Sequence, residues 1–492
     1  MRKHILGQVI LSVLVTSGIS ATAHAADTLT ILPSDAAPKC PITKSEFEKW
    51  FMNGTIVKDG ALWPANSVNF PLDNTNCDFF KWSSQMFLWL TSPQKLQTNN
   101  AASYVFDGDG FYDISPEDAS GSRQFIKNTT AIDNFLVRVN KTDDDLPETI
   151  GETGQAGGGG ILISQTGSLV YYGIHTNDVY AQFLTGQKTG KIAQDQFPTD
   201  PTDLEEILSF SPTPLKDSMA LTIELKTSWI DASTLIDASG YVQVDAVVPK
   251  YTPNSAKTQW TLSGTEQKTL ALTGMHVVGS VQGHPEMVWA TFEHQNNTPN
   301  DTYYYENNKQ KITAVPFDPT ASGFTFYKPN TPTGQTNIET AHVDGKTGNI
   351  VLTSPATTIE PTSALRLNPW GNDGNSTSPA SVNSQIISLN SDILNLLAAG
   401  DIRANYVQIG AVWTQNGVLP NAPVTKGSKK YKDAPEIGSP RLANTTMETY
   451  FQGSGNGSCF LCHNAGGNLP PDASFGEDEL SHIYFNIDPL TE

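Results

Sequence analysis

Between about residues 130 and 300, apolar and polar positions alternate, the spacing expected of strands that bury one face. The runs "SMALTIELKTSWI", "YVQVDAVVPKY", "QKTLALTGMHVVGSV" and "EMVWATFEHQ" are rich in β-branched and aromatic residues and lie a short turn apart. "GILISQTGSLVYYGIHTNDVYAQFL" sets Thr166, Gly167 and Ser168 between two apolar runs, the arrangement of a hairpin. "ANYVQIGAVWT" reads as one further strand. These elements predict an antiparallel β core, built as a sandwich or a strongly curved sheet.

On either side the period lengthens to that of a helix. Thr43 stands as an N-cap three residues before Glu46, with Phe47, Trp50 and Phe51 at helical spacing and Gly54 as the stop. "CDFFKWSSQMFLWLTSP" repeats this logic with Phe79, Trp82, Met86, Trp89 and Leu90 before Pro93. After residue 300 the chain turns Asn-, Thr- and Pro-rich, which predicts a linker or decorated loop. A long helix is predicted next: Ser378 caps it, Pro379 occupies its first turn, Ile386, Leu389, Ile393 and Leu396 share a face, and Gly400 ends it. Near the end, Thr445 and Glu448 have capping-box spacing and predict a short helix. The expectation is an α+β chain with a mainly antiparallel β core, peripheral helices and a short C-terminal helical segment. Its segments are 1–25, a leader; 26–130, helical and loop-rich; 131–360, the β-rich core; and 361–492, the C-terminal region.

The leader expectation rests on Arg2 and Lys3, an apolar run from Ile5 to Val15, and Ala23-His24-Ala25 as a small-x-small cleavage pattern. That run is shorter than the roughly 20 residues a membrane-spanning helix needs, so a Sec-type signal peptide, export to the periplasm or medium, and a soluble mature chain are expected. Cleavage would remove two of the 30 basic side chains and none of the 50 acidic ones, moving the net charge from −20 to −22. Nucleic acid is an unsuitable partner for such a chain, because phosphate binding needs a basic surface.

Cysteine usage then divides by position. Cys40 and Cys77 stand near the start and are expected to form a disulfide in an oxidising compartment. Cys459 and Cys462 belong to "NGSCFLCHNAGG" and are followed at once by His463. Two thiols three apart on a helical turn reach the two vinyl groups of one porphyrin, while the adjacent imidazole sits under the iron. A zinc site would want a second Cys/His pair, and a thioredoxin-like dithiol would want a βα setting. The expected cofactor is one covalent haem c, with Cys459 and Cys462 as thioether positions and His463 as proximal iron ligand.

At this segment the chain resembles the c-type cytochromes. The likeness to small cytochromes stops there: 29 residues follow His463, and no methionine is among them. More of the chain, in "CDFFKWSSQMFLWLTSP", "GSLVYYGIH", "GMHVVGSVQGHPEMVWATFEHQNN" and "LANTTMETYFQ", resembles large exported bacterial proteins of the cytochrome c family. That resemblance implies one co-folded unit and supplies no substrate.

The second axial position has several candidates. His482 lies nineteen residues after His463, and Met447 is the nearest upstream sulfur, with Met275 and Met287 further away. His276, His284 and His294 cluster in the β region, where His276 and His294 are the acid/base candidates if the protein is an enzyme and Glu293 is a candidate to orient His294. "DGDGFYD", Asp107 to Asp113, has part of a calcium loop but lacks its third acid and terminal Glu. Three functions follow: one-electron transfer to a redox partner protein or small-molecule oxidant or reductant; a peroxidase- or oxygenase-type reaction at an open distal site; or a haem protein whose β region is a binding module, with Trp260 or Trp370 as stacking platforms.

Overall fold

The computed structural model describes residues 32–95, 102–115, 120–127, 160–194, 196–372, 374–418, 420, 436–453, 459–463, 480–481 and 483–491. The leader expected at 1–25 and His482 lie outside the described residues. Among the described residues no helix is long and apolar enough to cross a membrane.

The elements in chain order are α1 (Lys44–Glu48), α2 (Asn76–Leu90), β1 (Pro93–Lys95), β2 (Ala102–Tyr104), β3 (Phe111–Ile114), β4 (Phe125–Lys127), β5 (Val170–Asn177), α3 (Asp178–Lys188), α4 (Pro201–Phe210), β6 (Ile223–Asp231), β7 (Gln243–Pro253), β8 (Gln259–Val281), β9 (His284–His294), β10 (Tyr303–Glu306), β11 (Ile312–Val315), β12 (Ala341–Val343), β13 (Ile350–Leu352), α5 (Thr377–Leu396), β14 (Tyr406–Thr414), β15 (Glu436–Gly438) and α6 (Cys459–Cys462). Eleven strands form one antiparallel sheet in the order β15-β14-β9-β8-β6-β5-β3-β4, with β7 and β13 on β8, and β12 on β13. The chain is therefore α+β with a mainly antiparallel core. The sheet draws strands from each of the three segments that follow the leader. The 23-residue β8 makes this possible, because its first half pairs with β7 and its second half lies between β6 and β9.

Strand alternation gives the sheet two different buried faces. On the first, Met275 and Val277 of β8 and Val288, Ala290 and Phe292 of β9 join the aromatic face of α2 and the apolar face of α5. Phe87 stacks on Phe292 at 4.3 Å and Phe79 on Trp413 at 4.0 Å. On the second face, Val278 and Trp289 join α3 and the chain's last residues in one apolar cluster, and Val170, Tyr172 and Ile230 form another.

Thr43 caps α1 by accepting from Glu46 N. The Cys40–Cys77 disulfide joins the loop before α1 to the start of α2. Three expectations are corrected. "DVYAQFL" is not strand: Asn177 accepts from Tyr180 N and starts α3 there. The segment after residue 300 is no linker, since β10 and β11 form a hairpin against α5 while β12 and β13 extend the sheet. In α5 the N-cap is Ser376, two residues before the expected one.

The disulfide spans a separation of 37 residues. In the chain-entropy account a loop of that length contributes about 4 kcal/mol. The Cys40→Ser/Cys77→Ser double variant should lose stability of that order in denaturant unfolding, and an unchanged midpoint would contradict this.

Candidate haem-attachment site

Cross-strand pairing on the second face gives three successive rows. The first is Glu224, Val278 and Trp289; the second Lys226, His276 and Thr291; the third Ser228, Gly274 and Glu293. The C-terminal part of the chain lies on these rows, so β6, β8 and β9 set its position.

At the first row, α6 runs from Cys459 to Cys462, and His463 N donates to Cys459 O at 2.9 Å, closing one helical turn. That turn sets positions 459 and 462 on one side of the backbone. Cys459 is half-buried against the cluster that contains Trp289, Phe460, Leu480, Ile483 and Met287. The Trp289 ring meets Phe460 edge-on at 5.9 Å and lies 4.2 Å from the His463 ring. His463 Nδ1 lies 2.8 Å from Leu480 O. A carbonyl only accepts, so Nδ1 carries the proton and the lone pair of the neutral ring is on Nε2.

Leu480 is held in turn by its neighbour. Ser481 Oγ donates to Glu224 Oε2 at 2.6 Å, and with that proton committed the Tyr180 hydroxyl donates to Ser481 Oγ at 2.5 Å. Further along, Lys188 Nζ donates to Ile487 O, and Asp488 N to Arg123 O. The tail is thus fixed to α3, to β6 and to the turn that carries Arg123.

The second row is charged. His276 Nε2 lies 3.0 Å from Glu448 Oε1, Lys226 Nζ lies 3.6 Å from the same oxygen, and Asn444 N donates to Glu448 Oε2. Burial alone would raise the Glu448 carboxyl. The His276 charge and hydrogen bond, then Lys226 and the Asn444 N–H, outweigh it and bring the carboxyl to about 2. The expected helix at Thr445 is corrected to a run of turns over this row. Thr445 and Glu448 bond to the sheet instead of to each other, and Asn444 Oδ1 accepts from Thr446 N.

The other predicted residues separate by face. His294 and Met275 are on the first face, across the sheet from His463. His294 stacks on Tyr241 at 3.7 Å, and Nε2 donates to Gly240 O. Burial pushes its imidazole down to about 3, the Gly240 bond opposing, so it is neutral and structural. Glu293 does not orient it, because consecutive strand residues point to opposite faces. His284 Nδ1 donates to the buried Glu286 and its ring meets Phe79. Met447 is buried in the Val170–Tyr172 cluster, whereas Met287 shares the cluster that holds Phe460. Trp370 is buried edge-on to Tyr303, which removes it as a platform, and Trp260 is half-buried in β8 opposite Ile350. In the acidic loop, Asp109 pairs with Lys216 and Asp113 with His175.

Sequence reasoning missed Trp289, Glu224 and Leu480. Trp289 sits inside a quoted block, yet only strand register reveals which face it serves. Searches against protein-family models, curated proteins and solved structures find no match to this chain.

The Glu448 carboxyl titrates below the ordinary 4.5 in the fold, so its contribution to stability is present above about pH 4.5 and is lost as pH falls towards 2. In urea unfolding, Glu448→Gln should be less stable than the wild type at pH 6, and the gap should narrow by pH 3 and close only below about pH 2. A gap as wide at pH 3 as at pH 6 would contradict the ion-pair reading.

Proposed function

We propose that this protein is an exported one-electron carrier that holds a single haem c through Cys459 and Cys462, with His463 as an axial ligand. The observation that carries the proposal is the His463 contact set: Nδ1–H on Leu480 O, the ring against Trp289, and the lone pair on Nε2, directly after Cys-x-x-Cys. A ligating imidazole is normally oriented through its other nitrogen by such an acceptor, which fixes the tautomer and strengthens donation. Trp289, Phe460, Leu480 and Ile483 form an apolar cluster beside His463, of the low polarity that would keep water from a bound porphyrin. The bound group would supply the change of oxidation state. The chain's own residues do the rest: Leu480 orients the imidazole, Glu224 and Tyr180 hold Leu480 in place through Ser481, and the sheet gives a rigid backing that changes little when charge arrives.

One observation favours a second reading, a peroxidase- or oxygenase-type enzyme. His276 is on the same face as Trp289, one row away, with Nε2–H donating to the Glu448 carboxylate, so its Nδ1 is the nitrogen that takes or gives a proton. A histidine backed by a carboxylate is an acid/base unit.

The optical spectrum separates the two. The carrier should give a low-spin spectrum that is unchanged by cyanide or carbon monoxide, and His463→Ala should abolish it or convert it to high spin; a wild-type spectrum in that variant would overturn the ligand assignment. Under the second reading the wild type binds cyanide rapidly, and His276→Gln lowers peroxide turnover by about 10²–10⁴-fold. No turnover in the wild type would remove that reading.

A further inference from the structure

The third row of the second face carries a buried carboxylate for which haem binding alone gives no reason. Glu293 is fully buried and accepts from five donors. Arg366 donates through Nη2 at 2.7 Å and through Nε at 3.4 Å, and Asn297 Nδ2 donates at 3.2 Å. The remaining two donors belong to Thr445: its backbone N–H, at 2.9 Å, and its hydroxyl. A buried carboxylate is tolerated only when its charge is paired and its lone pairs are used. Arg366 supplies the first condition, and Thr445 completes the second.

Thr445 is the second residue of the arm 444–452, which belongs to the last stretch described before Cys459. Met447 of this arm is buried in the Val170–Tyr172 cluster, and further polar contacts seat the residues on either side of it. Asn444 Nδ2 donates to Thr291 Oγ1 and Phe292 O, Tyr172 OH donates to Thr446 O, and Gln452 Oε1 accepts from Leu367 N. Gly274 completes the seat, since a Cβ there would lie 2.7 Å from Asn444 Nδ2 and 2.9 Å from Ser228 Oγ. The directional bonds at Asn444, Thr445, Thr446 and Gln452 fix the register of an arm whose Met447 is anchored in the apolar cluster.

We propose that Glu293, paired with Arg366, is the positioning residue that seats the arm 444–452 on the sheet and thereby sets where Cys459 and His463 meet Trp289. The inference rests on the haem reading for its consequence but not for its contacts. It makes Glu293 part of the haem site through Thr445, without touching the haem.

Glu293→Gln leaves Arg366 buried without its counter-charge and threatens the fold, so the decisive variant is Thr445→Val, which keeps the Glu293–Arg366 pair and removes one hydroxyl. Thr445→Ser serves as the rescue. In native-state hydrogen exchange of the full-length protein, Thr445→Val should speed exchange of the 446–452 amides at least about tenfold while amides of β6 and β8 keep their rates. The electron paramagnetic resonance spectrum of the oxidised haem should split from one low-spin species into several. Thr445→Ser should restore both. Exchange that is unchanged, exchange that rises equally across the sheet, or a single unaltered haem species would each overturn the positioning role. A protein with no visible haem spectrum would instead defeat the haem reading, and that failure is read before any variant is made.

Discussion

Consecutive residues of a strand point to opposite sides of the sheet, and here both sides are covered. That constraint decides which groups can act together. Glu293 and His294 are neighbours in the chain, yet one binds the arm that leads to Cys459 while the other is sealed between Tyr241 and Tyr406 on the far side. Met275 and His276 part in the same way. The first face is an apolar lock between α2, α5 and the strands, built from stacked rings such as Phe87 on Phe292. The second offers an apolar row, a charged row and a hydrogen-bonding row side by side, and the chain's C-terminal part is laid across all three.

This division of labour shows how the short segment from Cys459 to His463 is supported by several hundred residues. One helical turn has too little surface to hold an imidazole by itself. Trp289 supplies the surface, Leu480 the acceptor, and Glu224 with Tyr180 the anchor for the residue that follows Leu480. Each support comes from a different element, and the sheet keeps the elements in register. Because directional polar contacts at Asn444 and Thr445 accompany the burial of Met447, the position of the arm is specified to one arrangement.

Much of this was legible from the residues. The β6 to β9 strands, α2 and β14 follow from period and β-branched content, and Cys40–Cys77 follows from the two cysteines near the start standing apart from the pair at Cys459 and Cys462. What was not legible was settled by tertiary contacts. The run after Asn177 continues directly from β5, and the Asn177 cap marks where the strand gives way to α3. Thr445 and Glu448 have the spacing of a capping box, but Glu293 and His276 compete for their side chains and prevail, because a buried carboxylate must find donors. Trp289 and Glu224 are ordinary strand residues until pairing puts them in one row.

The central claim is that Cys459 and Cys462 carry a covalently attached porphyrin beneath which His463 is held. Peptide mass spectrometry tests it most directly, on full-length protein purified from the exported fraction of a host that matures c-type cytochromes. The account predicts that the peptide spanning Cys459 to His463 is heavier by one haem, with neither thiol open to alkylation. The same peptide found at its unmodified mass, with both thiols alkylated, would contradict it.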